Sequence, residues 1–245
     1  MHDDAGGPGA KALRQHQFRP PPGSARLLLV RHGESEPVVP GIAVRLLAGQ
    51  GDPGLADLGR AQAERACRRL GRMGPQAIYL SGFRRAAETA APLIESLDIE
   101  PHIDPDLREV CLGDWEGGIY RQKVAEGDPL AVELFSRQRW DVIPGAEADE
   151  AFSERVSAAI QRIADAHPDQ TVAVFTHAGT IGQALSIATR AEPFSFIGAD
   201  NGSISELVVW GKRWFVRSFN DTAHLGDLED QLPQEPGWPE QSARR

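Results

Sequence analysis

Hydrophobic positions along this chain fall into two patterns that alternate, short unbroken runs and helical stripes. Leu27-Leu28-Leu29-Val30 predicts a short strand buried on both faces, because every residue, not every second one, is aliphatic. Leu58, Ala61, Gln62, Ala66 and Leu70 then recur at helical spacing after Asp57, a residue suited to capping, and Gly71 and Gly74 are expected to end that helix. Ala77 to Leu80 predicts a second buried strand. Ala86, Ala90, Leu93, Ile94 and Leu97 predict a helix that Pro92 should kink or split. Glu100 to Ile103 predicts a third, short strand, and Phe152, Val156, Ala159, Ile160 and Ile163 line one face of an amphipathic helix. Thr171 to Thr176 predicts a strand and Thr180 to Thr189 a helix. Ile204 to Trp210 and Trp214 to Phe219 predict a hairpin across Gly211-Lys212-Arg213. Such alternation predicts an α/β fold, a three-layer α/β/α sandwich with a mixed, mostly parallel sheet and an antiparallel strand near the end.

The two ends read differently. Residues 1–24 are rich in Gly, Pro, Ala and charge and finish on Pro20-Pro21-Pro22-Gly23. They carry too little apolar surface to offset their ordering entropy, so a flexible arm is expected. Residues 227–245, with Pro233, Pro236 and Pro239, are expected to form a polar tail, leaving one domain over 25–226. Hydrophobic content of 41% and charged content of 25% suit a soluble globular protein. A net charge of −9 argues against a nucleic-acid partner held on a basic face. It allows an anionic small molecule, since a few arginines in a pocket oppose the global charge locally. Cys67 and Cys111 are the two cysteines and show neither metal-ligand spacing nor a disulfide framework, so a cytoplasmic location is expected. No apolar stretch is long enough to suggest a membrane partner, and the amino terminus lacks the pattern of a secretion signal. A homodimer is left open.

Candidate chemistry gathers at the carboxyl ends of the expected strands, where open α/β sheets bind ligands. Arg31-His32-Gly33 directly follows the first aliphatic run. An always-charged planar fork beside an uncharged ring nitrogen suits one task, holding an oxyanion while the imidazole attacks it. Thr176-His177-Ala178-Gly179-Thr180 repeats the logic, with a helix start whose free amides favour an anion. Two histidines at two strand ends can face each other across one crevice; the bland alternative is a pair of unrelated loop histidines. Arg84 and Arg85 follow a third strand at a helix start, where the macrodipole disfavours cations. Only one of them needs to turn inward, and the bland alternative is two solvated charges. Phosphoryl transfer from an alcohol also needs an acid for the departing alkoxide. Glu109 and Glu116 both lie near Trp115, which could shield a carboxyl from water, and spacing alone does not choose between them.

With these segments in order, the chain resembles the histidine phosphatase superfamily, in its phosphoglycerate mutase-like branch, over about Leu27 to Leu225. Arg31 to Ser35 fits the opening Arg-His-Gly-Glu-Thr/Ser. Leu55, Gly59, Gln62 and Ala63 fit the next element, and Ser81, Arg85, Ala86, Thr89 and Ala90 the one after. Leu107, Glu109, Gly113, Trp115, Glu116 and Gly117 fit a fourth, and His177 the late histidine turn. Asn201 to Ile204 and Asn220 to Leu225 look like the closing segments. The resemblance implies a phosphoglycerate mutase-like fold, His32 as nucleophile, Glu109 as proton donor, and Arg31, Arg85 and His177 as phosphate ligands. It implies no metal and no cofactor, and a small phosphate ester as the partner.

The departures matter too. Pro37-Val38 stand where mutases carry Trp-Asn, and Pro144-Gly145-Ala146-Glu147-Ala148 lacks the serine usual in that segment. The expected cap, about 119–143, is short, as in phosphatases; it mixes Tyr120, Leu134, Phe135 and Trp140 with Arg121, Lys123, Arg137 and Arg139. The expected function is therefore a phosphoric monoester hydrolase of the histidine acid phosphatase type, with a mutase as the alternative. A phospho-ligand binding module without turnover is the third reading.

Overall fold

Leu27 and Leu29 point to one face of the sheet and Leu28 and Val30 to the other, and each pair enters a separate buried cluster. The computed structural model describes residues 14–39 and 42–231. Its main sheet contains β1 (Ala25–Arg31), β4 (Ala77–Leu80), β5 (His102–Ile103), β6 (Thr171–Thr176), β7 (Ile204–Trp210) and β8 (Arg213–Asp221), in the order β5-β4-β6-β1-β7-β8. β6 pairs parallel with both β1 and β4, β4 pairs parallel with β5, and β7 runs antiparallel to β1 and β8. A separate small hairpin joins β2 (Leu46–Leu47) to β3 (Gln50–Gly51). The helices are α1 (Asp57–Met73), α2 (Arg84–Leu97), α3 (Ile119–Glu126), α4 (Pro129–Arg137), α5 (Asp149–Ala166) and α6 (Ala178–Thr189).

α1 and α2 cover one face through Ala66, Leu70, Ala86, Ala90 and Leu93. α5 and α6 cover the other through Phe152, Val156, Ile160, Ile163, Ile181 and Leu185. The chain thus forms an α/β/α sandwich on a mixed, mostly parallel sheet, in which β7 is the antiparallel strand.

Several local expectations need correction. Asp57 does not cap α1: Ala56 occupies the cap position, and Asp57 sits in the first turn, where its charge favours the helix amino terminus. α1 runs through Gly71 and ends at Gly74, whose φ of +64° takes the left-handed closure. α2 continues unbroken across Pro92, because its buried stripe of Ala86, Thr89, Ala90 and Leu93 outweighs one lost amide bond. At the amino-terminal side, Ser24 is buried, and Phe18 packs on Phe215 with the Arg217 guanidinium 4.0 Å from its ring centre. The part of the expected arm before Arg14, and the part of the expected tail beyond Gln231, lie outside the described residues. Among the described residues, no helix is long and apolar enough to cross a membrane.

Candidate active site

Parallel pairing of β1 with β6 sets Arg31 opposite Thr176, so His32 and His177 leave adjacent strands at the same end of the sheet. Their ring centres are 5.1 Å apart, which brings the two histidine motifs into one crevice. The His32 Nδ1 lies 2.7 Å from the Gly33 carbonyl. A carbonyl only accepts, so Nδ1 carries the proton and Nε2 keeps its lone pair. Burial holds the imidazole well below its ordinary value of 6.5, and the charges of Arg85 and Arg31 push the same way. The ring is therefore neutral at physiological pH.

The loop after β1 is held by residues that the second and third motifs supply. Gln62 accepts from the Glu34 amide at 2.8 Å, and Thr89 accepts from the Gly33 amide at 3.0 Å. Asn201 donates to the His32 carbonyl at 2.9 Å. A Cβ on Gly33 would meet the Gly59 carbonyl at 2.4 Å, and one on Gly59 would meet the Glu34 carbonyl at 2.0 Å. These two glycines let α1 and the histidine loop touch backbone to backbone.

Arg31 ends β1 and donates to the Ala199 carbonyl. At the start of α2, Arg85 turns inward and is buried, donating to the Gly51 carbonyl at 2.8 Å; Arg84 turns outward to Glu88. Desolvation pushes Arg85 down to about 10, so it stays charged at neutral pH. The β2–β3 hairpin that supplies Gly51 has no apolar pattern of its own. It turns on Ala48 and Gly49, both at positive φ, as a two-residue hairpin requires. His177 is fully buried, with Nε2 2.9 Å from the Ser81 hydroxyl and Nδ1 without a hydrogen-bond partner. Burial also depresses this ring, reinforced by Arg85, His32 and Arg31.

Glu109 lies at the amino terminus of α6. One carboxylate oxygen accepts from the Val110 and Thr180 amides at 3.1 and 3.2 Å, and the other accepts from Gly179 at 3.1 Å. Arg155 of α5 fixes this segment by donating to the carbonyls of Asp106, Arg108 and Glu109, while bridging to Glu147. Gln50 donates to the Glu109 carbonyl as well. Glu116 spends both oxygens elsewhere, on the amides of Leu112 and Gly51 at 2.8 and 2.9 Å. Arg155 and Gln50 went unseen in the sequence, because their partners are backbone atoms that no spacing reveals.

Arg31, His32, Arg85, Glu109 and Glu116 border a cavity of about 540 Å³ roofed by α3 and α4, and Ala178 and Gly179 line it next to the fully buried His177. A broader cleft of about 1090 Å³ along α5 and β8 contains none of them. Among the described residues, no group of three or more His, Cys, Asp or Glu is placed to hold a metal.

The two buried histidines give a stability test with a definite sign. Unfolded, each titrates near 6.5; folded, each titrates well below. The unfolded chain binds more protons as pH drops under that value, so stability is complete above it and is lost on acidification. The thermal midpoint should fall between about pH 7 and pH 5, and His32→Asn should flatten that fall by up to about 1.4 kcal/mol per pH unit. An unchanged pH slope in the variant would show that the folded ring titrates at its unfolded value.

A neutral, buried imidazole with a bare ring nitrogen, set among fixed guanidinium groups at the carboxyl end of a parallel sheet, defines an α/β protein built for phosphoryl transfer. The sequence pattern described as Histidine phosphatase superfamily (branch 1) matches residues 27–222, and the chain belongs to that family. It is 35% identical over 208 residues to Phosphoglycerate mutase-like protein 4 of Arabidopsis thaliana, covering 82% of this chain and 87% of that one. It is 30% identical to the Metal-independent phosphoserine phosphatase of the same plant, covering 82% and 84%. Among solved structures, the mycobacterial glucosyl-3-phosphoglycerate phosphatase superposes with a TM-score of 0.66 at 28% identity, over 80% of this chain and 99% of that one. The chain is accordingly a phosphoric monoester hydrolase.

Proposed function

We propose that this hydrolase cleaves small phosphate monoesters on His32, without a metal, and that Arg31, Arg85, His177 and Glu109 complete the machinery. The observation that carries the assignment is the His32 ring, neutral and with Nδ1–H committed to Gly33, which leaves Nε2 free to attack. In the first step Nε2 bonds to phosphorus, the ester P–O bond breaks, and the departing oxygen takes a proton from Glu109. In the second, water attacks phosphorus, the P–N bond breaks, Glu109 takes the water proton, and phosphate leaves. Arg31 and Arg85 stabilise the charge on the equatorial oxygens at no reorganisation cost, since both are already fixed by carbonyls. The partnerless Nδ1 of His177 gains a phosphoryl oxygen as acceptor when Ser81 donates to Nε2. This is the histidine acid phosphatase manner of cleavage, in which arginines take the place of a metal ion.

A panel of phosphate esters scored for released phosphate tests the reaction; isomer formation without phosphate release would establish the mutase alternative. Activity should also survive exhaustive chelation, because guanidinium groups supply the positive charge. Loss with EDTA, restored by a divalent ion, would place the chemistry on a different site.

A further inference from the structure

The cap carries four cations in its sequence, but the fold spends three of them outside the cavity. Lys123 pairs with Asp128 at 2.9 Å, Arg137 with Glu133 at 2.9 Å, and Arg139 with Asp141 and Glu150. Only Arg121 of the four borders the cavity, at its rim, and it donates to Ser35 in the histidine loop at 3.2 Å. Ser35 lies three residues after His32 in the same loop, so this contact holds Arg121 toward the phosphoryl end. The other charged residues on the wall are Arg31, Arg85, Glu109 and Glu116. Both carboxylates are already committed to backbone amides.

Beyond the phosphoryl end the wall is apolar. Trp115, Tyr120, Val124, Phe135, Trp140 and Ile197 line it. Trp115, Tyr120 and Trp140 form a run of rings 6.4 and 5.9 Å between centres, and Trp140 continues to Phe194 at 4.9 Å. A carboxylate or ammonium carried into that chamber sheds water and, among the described residues, meets no charged side chain in return, which is costly. An alkyl or aryl group entering it gains by burial.

We propose that the leaving group this site accepts is an uncharged, largely apolar alcohol, and that esters bearing a second ionised group are poor substrates. The inference rests on the hydrolase assignment above. An n-alkyl phosphate series from ethyl to hexyl keeps the leaving-group basicity nearly constant, so it isolates the chamber. The expected result is a rise in kcat/KM of up to about fourfold per added methylene. Butyl phosphate should exceed phosphoserine and 3-phosphoglycerate by roughly tenfold or more. Val124→Lys, which puts a cation on the chamber wall, should narrow that gap and reduce the chain-length slope.

Arg121→Gln separates the two ends. An equal loss on butyl phosphate and 3-phosphoglycerate places Arg121 with the phosphoryl group, as the inference requires. A loss confined to 3-phosphoglycerate would make Arg121 an anchor for a second anion and overturn it. A flat alkyl series together with a phosphoenzyme on His32 would overturn the substrate class and leave the hydrolase standing. No phosphoenzyme and no phosphate release from any ester would overturn both.

Discussion

Replacing His32 by alanine is expected to lower ester hydrolysis by roughly four powers of ten or more while leaving the fold in place. Among the described residues the neighbouring ring, His177, cannot take its place, because it is fully buried and its Nε2 is engaged with Ser81. Loop geometry should survive, because Gln62, Thr89 and Asn201 hold the backbone around residue 32 rather than its side chain. The check combines steady-state rates with a labelling experiment. Wild-type protein briefly exposed to a labelled ester and quenched in alkali should carry label on His32, and the variant should carry none. Label on a serine, cysteine or aspartate would refute the phosphohistidine route.

Glu109→Gln should show a loss that depends on the leaving group. An acid matters in proportion to how badly the departing oxygen needs a proton. With an alkyl phosphate the alkoxide is strongly basic, and phosphorylation of His32 should slow by roughly two to four powers of ten. With a nitrophenyl ester the phenoxide departs unaided, and the same step should slow far less. Glutamine keeps one acceptor oxygen for the backbone amides that Glu109 faces and sets its NH2 against the remaining N–H, so the aryl ester, which needs no proton, also controls for any loss of position. Pre-steady-state phosphoenzyme formation with both esters, in wild type and variant, decides the matter. Equal losses on both would make Glu109 a positioning residue.

Much of the frame was legible from local pattern. β1, β4, α5 and β6 announce themselves because buried strands and amphipathic helices select residue types at fixed periods. What escaped was whatever depends on meetings through space. The β2–β3 hairpin is two residues a side, too short for periodicity, and its Ala48-Gly49 turn is a weak signal. Yet it delivers the Gly51 carbonyl to Arg85 and the Gln50 amide to Glu109. Spacing could not separate Glu109 from Glu116, since their difference lies in which amides they face. Nor could it separate Arg84 from Arg85 without the helix phase, a single step of rotation that sends one to solvent and the other to Gly51. Gly59 illustrates the same point, for its role appears only when the Glu34 carbonyl stands where a side chain would be.

The strand order carries a consequence for how this chain is made. Among the described residues β1 is the first strand in chain order, and both of its neighbours, β6 and β7, begin only at Thr171 and Ile204. During translation, Leu27-Leu28-Leu29-Val30 therefore waits as an unpaired aliphatic segment while about 140 further residues are synthesised. Among the described residues of the first half, none offers it a native edge, since β4 pairs with β5 and β6. The crevice between His32 and His177 is accordingly one of the last features to exist, and an incomplete chain exposes an aliphatic strand with both edges unpaired.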